Sequence, residues 1–262
     1  MAITLAGLAA YSVTQTFTRL AQEWPAMQRI NHNAQTVSLS EGVGVAAGLI
    51  VGQLAAGHGR ALVVSLPAAM LGALDDHRED TSHRDKGLAG HIAALRAGRL
   101  TTGMAKLLGI STSAVVAAGL LPGRRRLPDI AINSALIAGS ANLVNLLDLR
   151  PGRALKGAGL LQIPAIVFGT LAKGGASLMA ASVGTIAAAA PPDLAGRTML
   201  GDTGANTLGA HTGWVLAATC PRAVRAGCAV VIVGLVLAGE KISFSAVIDH
   251  NPILRALDQA GR

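Results

Sequence analysis

Four aspartates occupy positions where a carboxylate calls for a partner. Asp75 and Asp76 close the apolar stretch "MLGALDDHRED". Adjacent carboxylates repel, and a helix C-terminus carries the negative end of its dipole, so both effects oppose two anions there and a cation is expected nearby. Asp148 stands in "NLVNLLDLRPGRALK", after Asn142 and Asn145. If the helix continues, Asn145 and Asp148, three residues apart, share one face. Asp202 lies in "GDTGAN", between Gly201 and the pair Thr203 and Gly204, at the mouth of an apolar run. One reading makes it the N-cap of the helix that follows. The other gives the glycines the task of letting a bulky ligand approach, with free amides near a helix start suited to phosphate. Together Asp75, Asp76 and Asp202 supply hard oxygen donors of the kind that hold Mg2+ beside a phosphate-bearing substrate.

Other chemistries are poorly represented. His77, His83 and His91 have no zinc-ligand spacing, and Cys220 and Cys228 match neither a metal nor a redox motif. No GxxxxGK[ST] loop is present, which argues against a nucleotide-hydrolysing motor but leaves a nucleotide-sugar substrate open.

The elements that must carry these acids are helices in a membrane. Of 262 residues, 51% are hydrophobic and 14% charged, where a soluble domain carries about 25% charged residues. Apolar runs recur along the whole chain, so residues 1–262 read as one all-α, polytopic integral-membrane domain. About nine spans are expected, at 2–18, 41–57, 59–75, 102–121, 129–147, 157–172, 174–191, 204–220 and 223–239. The first has no preceding Lys/Arg cluster and reads as a retained span, not a cleaved signal. Strand-like alternation is missing. Counting crossings from a cytoplasmic 75–106 segment puts the loops holding most ionisable residues on one face. Charge bias agrees for that segment and disagrees for "GRRRLP" at 123–128. The expected location is the cell membrane, multi-pass. The net charge of +8 is scattered in short segments and not gathered on a basic domain, which favours anionic lipid headgroups and phosphorylated substrates over nucleic acid.

Four stretches, in order, resemble the polyprenyl-phosphate N-acetylhexosamine-1-phosphate transferase superfamily, which includes phospho-N-acetylmuramoyl-pentapeptide transferase. They are "RINHNAQTVSLSEGVG", "LGALDDHREDTSHRDKGLAGH", "NLVNLLDLRPGRALK" and "MLGDTGANTLGA". The resemblance implies transfer of a sugar 1-phosphate from a UDP-sugar to a polyprenyl phosphate at the cytoplasmic membrane face, with release of UMP, in cell-envelope glycan synthesis. It implies Mg2+ as cofactor, with Asp202 as its ligand and Asp75 and Asp76 as the pair assigned to metal, lipid phosphate or proton abstraction. Asn142, Asn145 and Asp148 would line the nucleotide-sugar site with Gly201, Thr203 and Gly204, and Lys86 would meet phosphate. The chain departs from the family pattern at Pro151, where a second aspartate is expected, at Ala205, where serine is expected, and in lacking a histidine-rich segment before the C-terminus. Two other classes compete: a catalytically silent binding or scaffold protein of cell-wall assembly, and a transporter, which the absence of a charged residue mid-span disfavours. A homodimer through span surfaces is allowed for, although no GxxxG face identifies one.

Overall fold

In the computed structural model, residues 1–30, 36–77, 87–98, 101–123, 126–169 and 174–262 are described. Its organising element is a helix from Gly201 to Thr219, in which every residue is buried apart from Asp202 and Ala218. The Gly, Ala and Thr residues of this helix let neighbouring helices close on every side, and polar Asn206 and His211 are buried with it. In chain order the helices are α1 (Ala2–Ala21), α2 (Ser40–Ala55), α3 (Leu62–His77), α4 (Gly87–Arg96), α5 (Thr102–Leu120), α6 (Leu127–Leu147), α7 (Arg153–Leu161), α8 (Ile163–Phe168), α9 (Gly175–Leu194), α10 (Gly201–Thr219), α11 (Arg222–Gly239), α12 (Phe244–His250) and α13 (Pro252–Gln259). The helices α2, α3, α6 and α9 surround α10, with α1, α5 and α11 packed outside them. A short antiparallel hairpin of β1 (Gln28–Ile30) and β2 (Thr36–Ser38) joins α1 to α2 and pairs on through Ser38 with residues 197–199.

Small residues set how closely the helices approach. On α2, Gly44, Gly48 and Gly52 face Thr18, Thr14 and Ala10 of α1; a Cβ built at Gly48 would lie 1.9 Å from the Thr14 Oγ1. A small-xxx-small ladder of this kind is a membrane helix-pairing face, and here it is consumed within the chain. The core along α10 is built from Leu136, Ile137, Leu178, Leu208, Val215 and Leu216, all fully buried. By contrast Val115 and Val116 of α5 and Val230, Val231 and Leu237 of α11 are exposed.

Among the described residues, three helices, α5, α6 and α11, are long and apolar enough to cross a membrane. The segment expected as one span at 157–172 is divided into α7 and α8, with residues 170–173 outside the described set. Pro164, in the first turn of α8, has no N–H to donate, so no hydrogen bond to the Leu160 carbonyl carries α7 on into α8. The hairpin was not expected from the sequence. Nor were α12 and α13, which fold back on α7: Arg153 pairs with Asp258 at 2.7 Å, and Lys156 donates to the Asp258 carbonyl.

The acid-bearing segments share one end of the bundle. There Arg29 donates to the Asp76 carbonyl, Ser38 meets Arg197 and Met199, and Gly152 donates to Asp193. At the other end Arg60 donates to the Leu120 carbonyl and Arg225 pairs with Asp129. The "GRRRLP" segment leads into α6 at this second end, with residues 124–125 outside the described set.

Candidate functional site

The site begins where α3 passes the start of α10. A Cβ added at Gly72 would lie 2.5 Å from the Asp202 carbonyl oxygen, so only glycine allows this approach. The contact brings the C-terminal turn of α3, with its two acids, against the N-terminal turn of α10. Gly201 opens that turn at a φ of +58°, a left-handed conformation glycine adopts without strain.

The two adjacent acids do different things. The Asp76 carboxylate receives the backbone N–H groups of Asp202 and Thr203, each at 2.9 Å, and the Thr203 hydroxyl at 2.6 Å. It is therefore the cap of α10, supplied from another helix. The residue at the N-cap position, Leu200, makes no side-chain cap bond. Of the two readings of Asp202, the cap is not the one formed: Asp202 lies inside the first turn of α10, and the Asp202 and Thr203 amides go to Asp76. Asp148 lies at the same end, where burial and the nearby carboxylates of Asp193, Asp202 and Asp76 push its carboxyl above the usual range. One carboxylate, that of Asp76, thus takes the Asp202 and Thr203 amides of α10, where orphan N–H groups and the positive end of the helix dipole favour anions.

Asp75 turns to the other side. Its carboxylate and that of Asp202 both contact the Lys106 ammonium, which comes from the second turn of α5 and lies 2.6 Å from Asp75. The Asp75 and Asp202 carboxylates are thus brought together at one ammonium. The side chains of Lys106, Asp75 and Asp202 are 16%, 18% and 22% exposed, so the trio is reachable but mostly enclosed. The cation that the acid pair calls for is therefore Lys106, together with the amides of α10 for Asp76.

Lys106 was missing from the candidates read from sequence. Its signal was available: it is a lysine one turn inside an apolar run, "TTGMAKLLGI", where an ionisable residue is a site candidate by default. Glu41 was also missed; it is fully buried on α2 and accepts from Thr198 at 2.6 Å. A third omission is mid-bundle. His211 of α10 accepts at Nδ1 from Gln53 at 2.7 Å and turns Nε2 to Ser182 at 2.8 Å, while Gln53 also donates to Ser65. These partners assign a neutral ring with the proton on Nε2.

The remaining candidates separate. Asn142 and Asn145 are half-buried on α6 and enter none of the hydrogen bonds that join the acids. The helix does not continue past Asn145 as far as Asp148: α6 ends at Leu147 and Asp148 is its C-cap, with its N–H donating to the Asn145 carbonyl at 3.1 Å. Gly204 serves packing, since a Cβ there would lie 2.7 Å from the Cα of Gly42. Lys86, and residues 31–35 of the "RINHNAQTVSLSEGVG" stretch, lie outside the described residues.

Among the described residues, no three His, Cys, Asp or Glu side chains form a group able to hold a metal ion. Two carboxylates converge on one cation, however, and Mg2+ is commonly held by one or two protein carboxylates while keeping waters and substrate phosphates as its other ligands. Asp75 and Asp202 fit that pattern. Asp76 does not in this arrangement, because the amides and the hydroxyl of α10 occupy both its oxygens. Comparison with known protein families and with curated proteins gave no match to this chain.

Proposed function

We propose that this protein is a multi-pass membrane enzyme that transfers a sugar 1-phosphate from a UDP-sugar to a polyprenyl phosphate at the cytoplasmic face. The observation that carries the reading is the convergence of Asp75 and Asp202, from two helices, on a single cation position beside the capped start of α10. In this reading Asp75 and Asp202 hold Mg2+, which when bound spreads the charge of the substrate diphosphate. Asp76 fixes the α10 turn that presents Asp202, and Asp148 stays with the substrate-lining residues that the family resemblance implies. Lys86, Asn142, Asn145, Gly201, Thr203 and Gly204 remain the residues assigned to substrate by the family resemblance. An oxygen of the lipid phosphate attacks the phosphorus attached to the sugar, the bond to the second phosphate breaks, and UMP departs. A phosphate monoester loses its second proton near pH 6, so the attacking oxygen is largely ionised at neutral pH and needs orientation more than a strong base.

The test is UMP release from a panel of UDP-sugars with undecaprenyl phosphate in detergent, with and without EDTA. Release that stops with EDTA and in Asp202→Asn supports the enzyme. No release with any sugar from folded protein, beside an active control enzyme, rejects it. A second reading, a catalytically silent scaffold of cell-wall assembly, is favoured by the Lys106 ammonium, which already occupies the point where both carboxylates converge. It expects lipid-phosphate binding without UMP.

A further inference from the structure

Lys106 occupies the place where a metal would have to sit. Its ammonium contacts one oxygen of Asp75 and one of Asp202, so the lone pairs that would face a divalent ion face the lysine instead. The acids themselves have little freedom to rearrange. Asp202 is fixed by its helix, whose first turn is capped by Asp76, and α3 is held against α10 at Gly72. On its other side α3 is held against α5, where a Cβ added at Gly109 would lie 2.3 Å from Leu71 Cδ1. Lys106, by contrast, reaches the acids through a flexible four-carbon stem. Of the three charges, the ammonium can leave most readily.

We propose that Lys106 is a tethered counter-ion that competes with a divalent cation for Asp75 and Asp202 and so weakens metal binding by the ligand-free protein. This rests on the reading that the two acids hold a metal. Filling the acid pair with Lys106 avoids two enclosed carboxylates repelling each other when no metal is present. It also requires that metal entry expel the lysine from between them.

The probe is Mn2+, titrated into the full-length protein in detergent and followed by the loss of its free-ion EPR signal. Wild type, Lys106→Met, Lys106→Arg and Asp202→Asn are compared. Lys106→Met is expected to bind Mn2+ tighter by roughly tenfold or more, the scale of removing one unit charge in contact with two partly enclosed carboxylates. Lys106→Arg, which keeps the charge, is expected to stay near wild type. If Lys106→Met binds no tighter than wild type while Asp202→Asn still abolishes binding, the competition is wrong and the metal reading stands. If neither wild type nor Lys106→Met binds Mn2+, both fail. Should Lys106→Met not fold, the wild type supplies the answer through acetic anhydride labelling of Lys106 read by mass spectrometry. Labelling that rises with Mg2+ supports displacement, and labelling that is unchanged or falls overturns it.

Discussion

The Asp76 carboxylate takes both the backbone N–H and the hydroxyl of Thr203, at 2.9 and 2.6 Å. A cap supplied from a neighbouring helix does two things at once: it satisfies the orphan amides of α10 and it locks α3 to α10. Its immediate neighbour, Asp75, makes none of these bonds. Asp76→Ala should therefore lower stability by about 2 kcal/mol, the sum of a lost cap and an unpaired hydroxyl. Asp75→Ala should cost clearly less, since Lys106 keeps Asp202. Thermal unfolding in detergent separates them, and equal losses would contradict the division of labour.

Gly72→Ala should act on the site without altering any charged group. The added methyl must push α10 away at Asp202, which breaks the convergence on Lys106. Overpacking of this kind costs about 1–3 kcal/mol. UMP release should fall together with the melting temperature, and a variant with wild-type behaviour in both would show that α3 and α10 can separate at no cost.

The clamp between α7 and α13 should open in acid. Burial alone would raise the Asp258 carboxyl, but hydrogen bonds and charge from Arg153, with Arg262 and Lys156, hold it below the usual carboxylate range. A carboxyl whose folded value is depressed contributes stability that is present above its unfolded value and lost as pH falls through the folded one. Hydrogen exchange of residues 244–262 should therefore accelerate below the ordinary aspartate range. In Asp258→Asn it should be fast at all pH values. Exchange in wild type that does not change across that window would remove the clamp from the account.

At the opposite end, Arg225 joins α11 to α6 by donating to Asp129 at 2.8 Å and also to Asn133, with the Arg225 and Asp129 side chains 4% and 10% exposed. Removing one partner leaves a buried charge uncompensated, at a cost of about 3–5 kcal/mol, whereas replacing both by apolar residues restores much of it. Asp129→Ala should thus be worse than Asp129→Leu combined with Arg225→Leu. Folded yield and melting temperature in detergent read the difference, and a double variant worse than the single would refute it.

The sequence by itself determined that the chain is helical and apolar, that its acids close or open apolar runs, and that a cation must offset Asp75 and Asp76. These follow from composition, run length and local charge, which need no knowledge of neighbours. It could not separate Asp75 from Asp76, because adjacent residues on a helix point about 100° apart and which one meets α10 depends on how α3 is rotated against it. It could not distinguish Asp202 as a cap from Asp202 as a site acid either, because the cap comes from a residue 126 positions earlier in the chain. Lys106 and His211 were visible as polar residues in apolar runs, yet their partners lie on other helices. The Gly44, Gly48 and Gly52 ladder has the same form whether it pairs two chains or two helices of one chain. Only packing decided these matters, since it alone sets which helix faces meet and how closely.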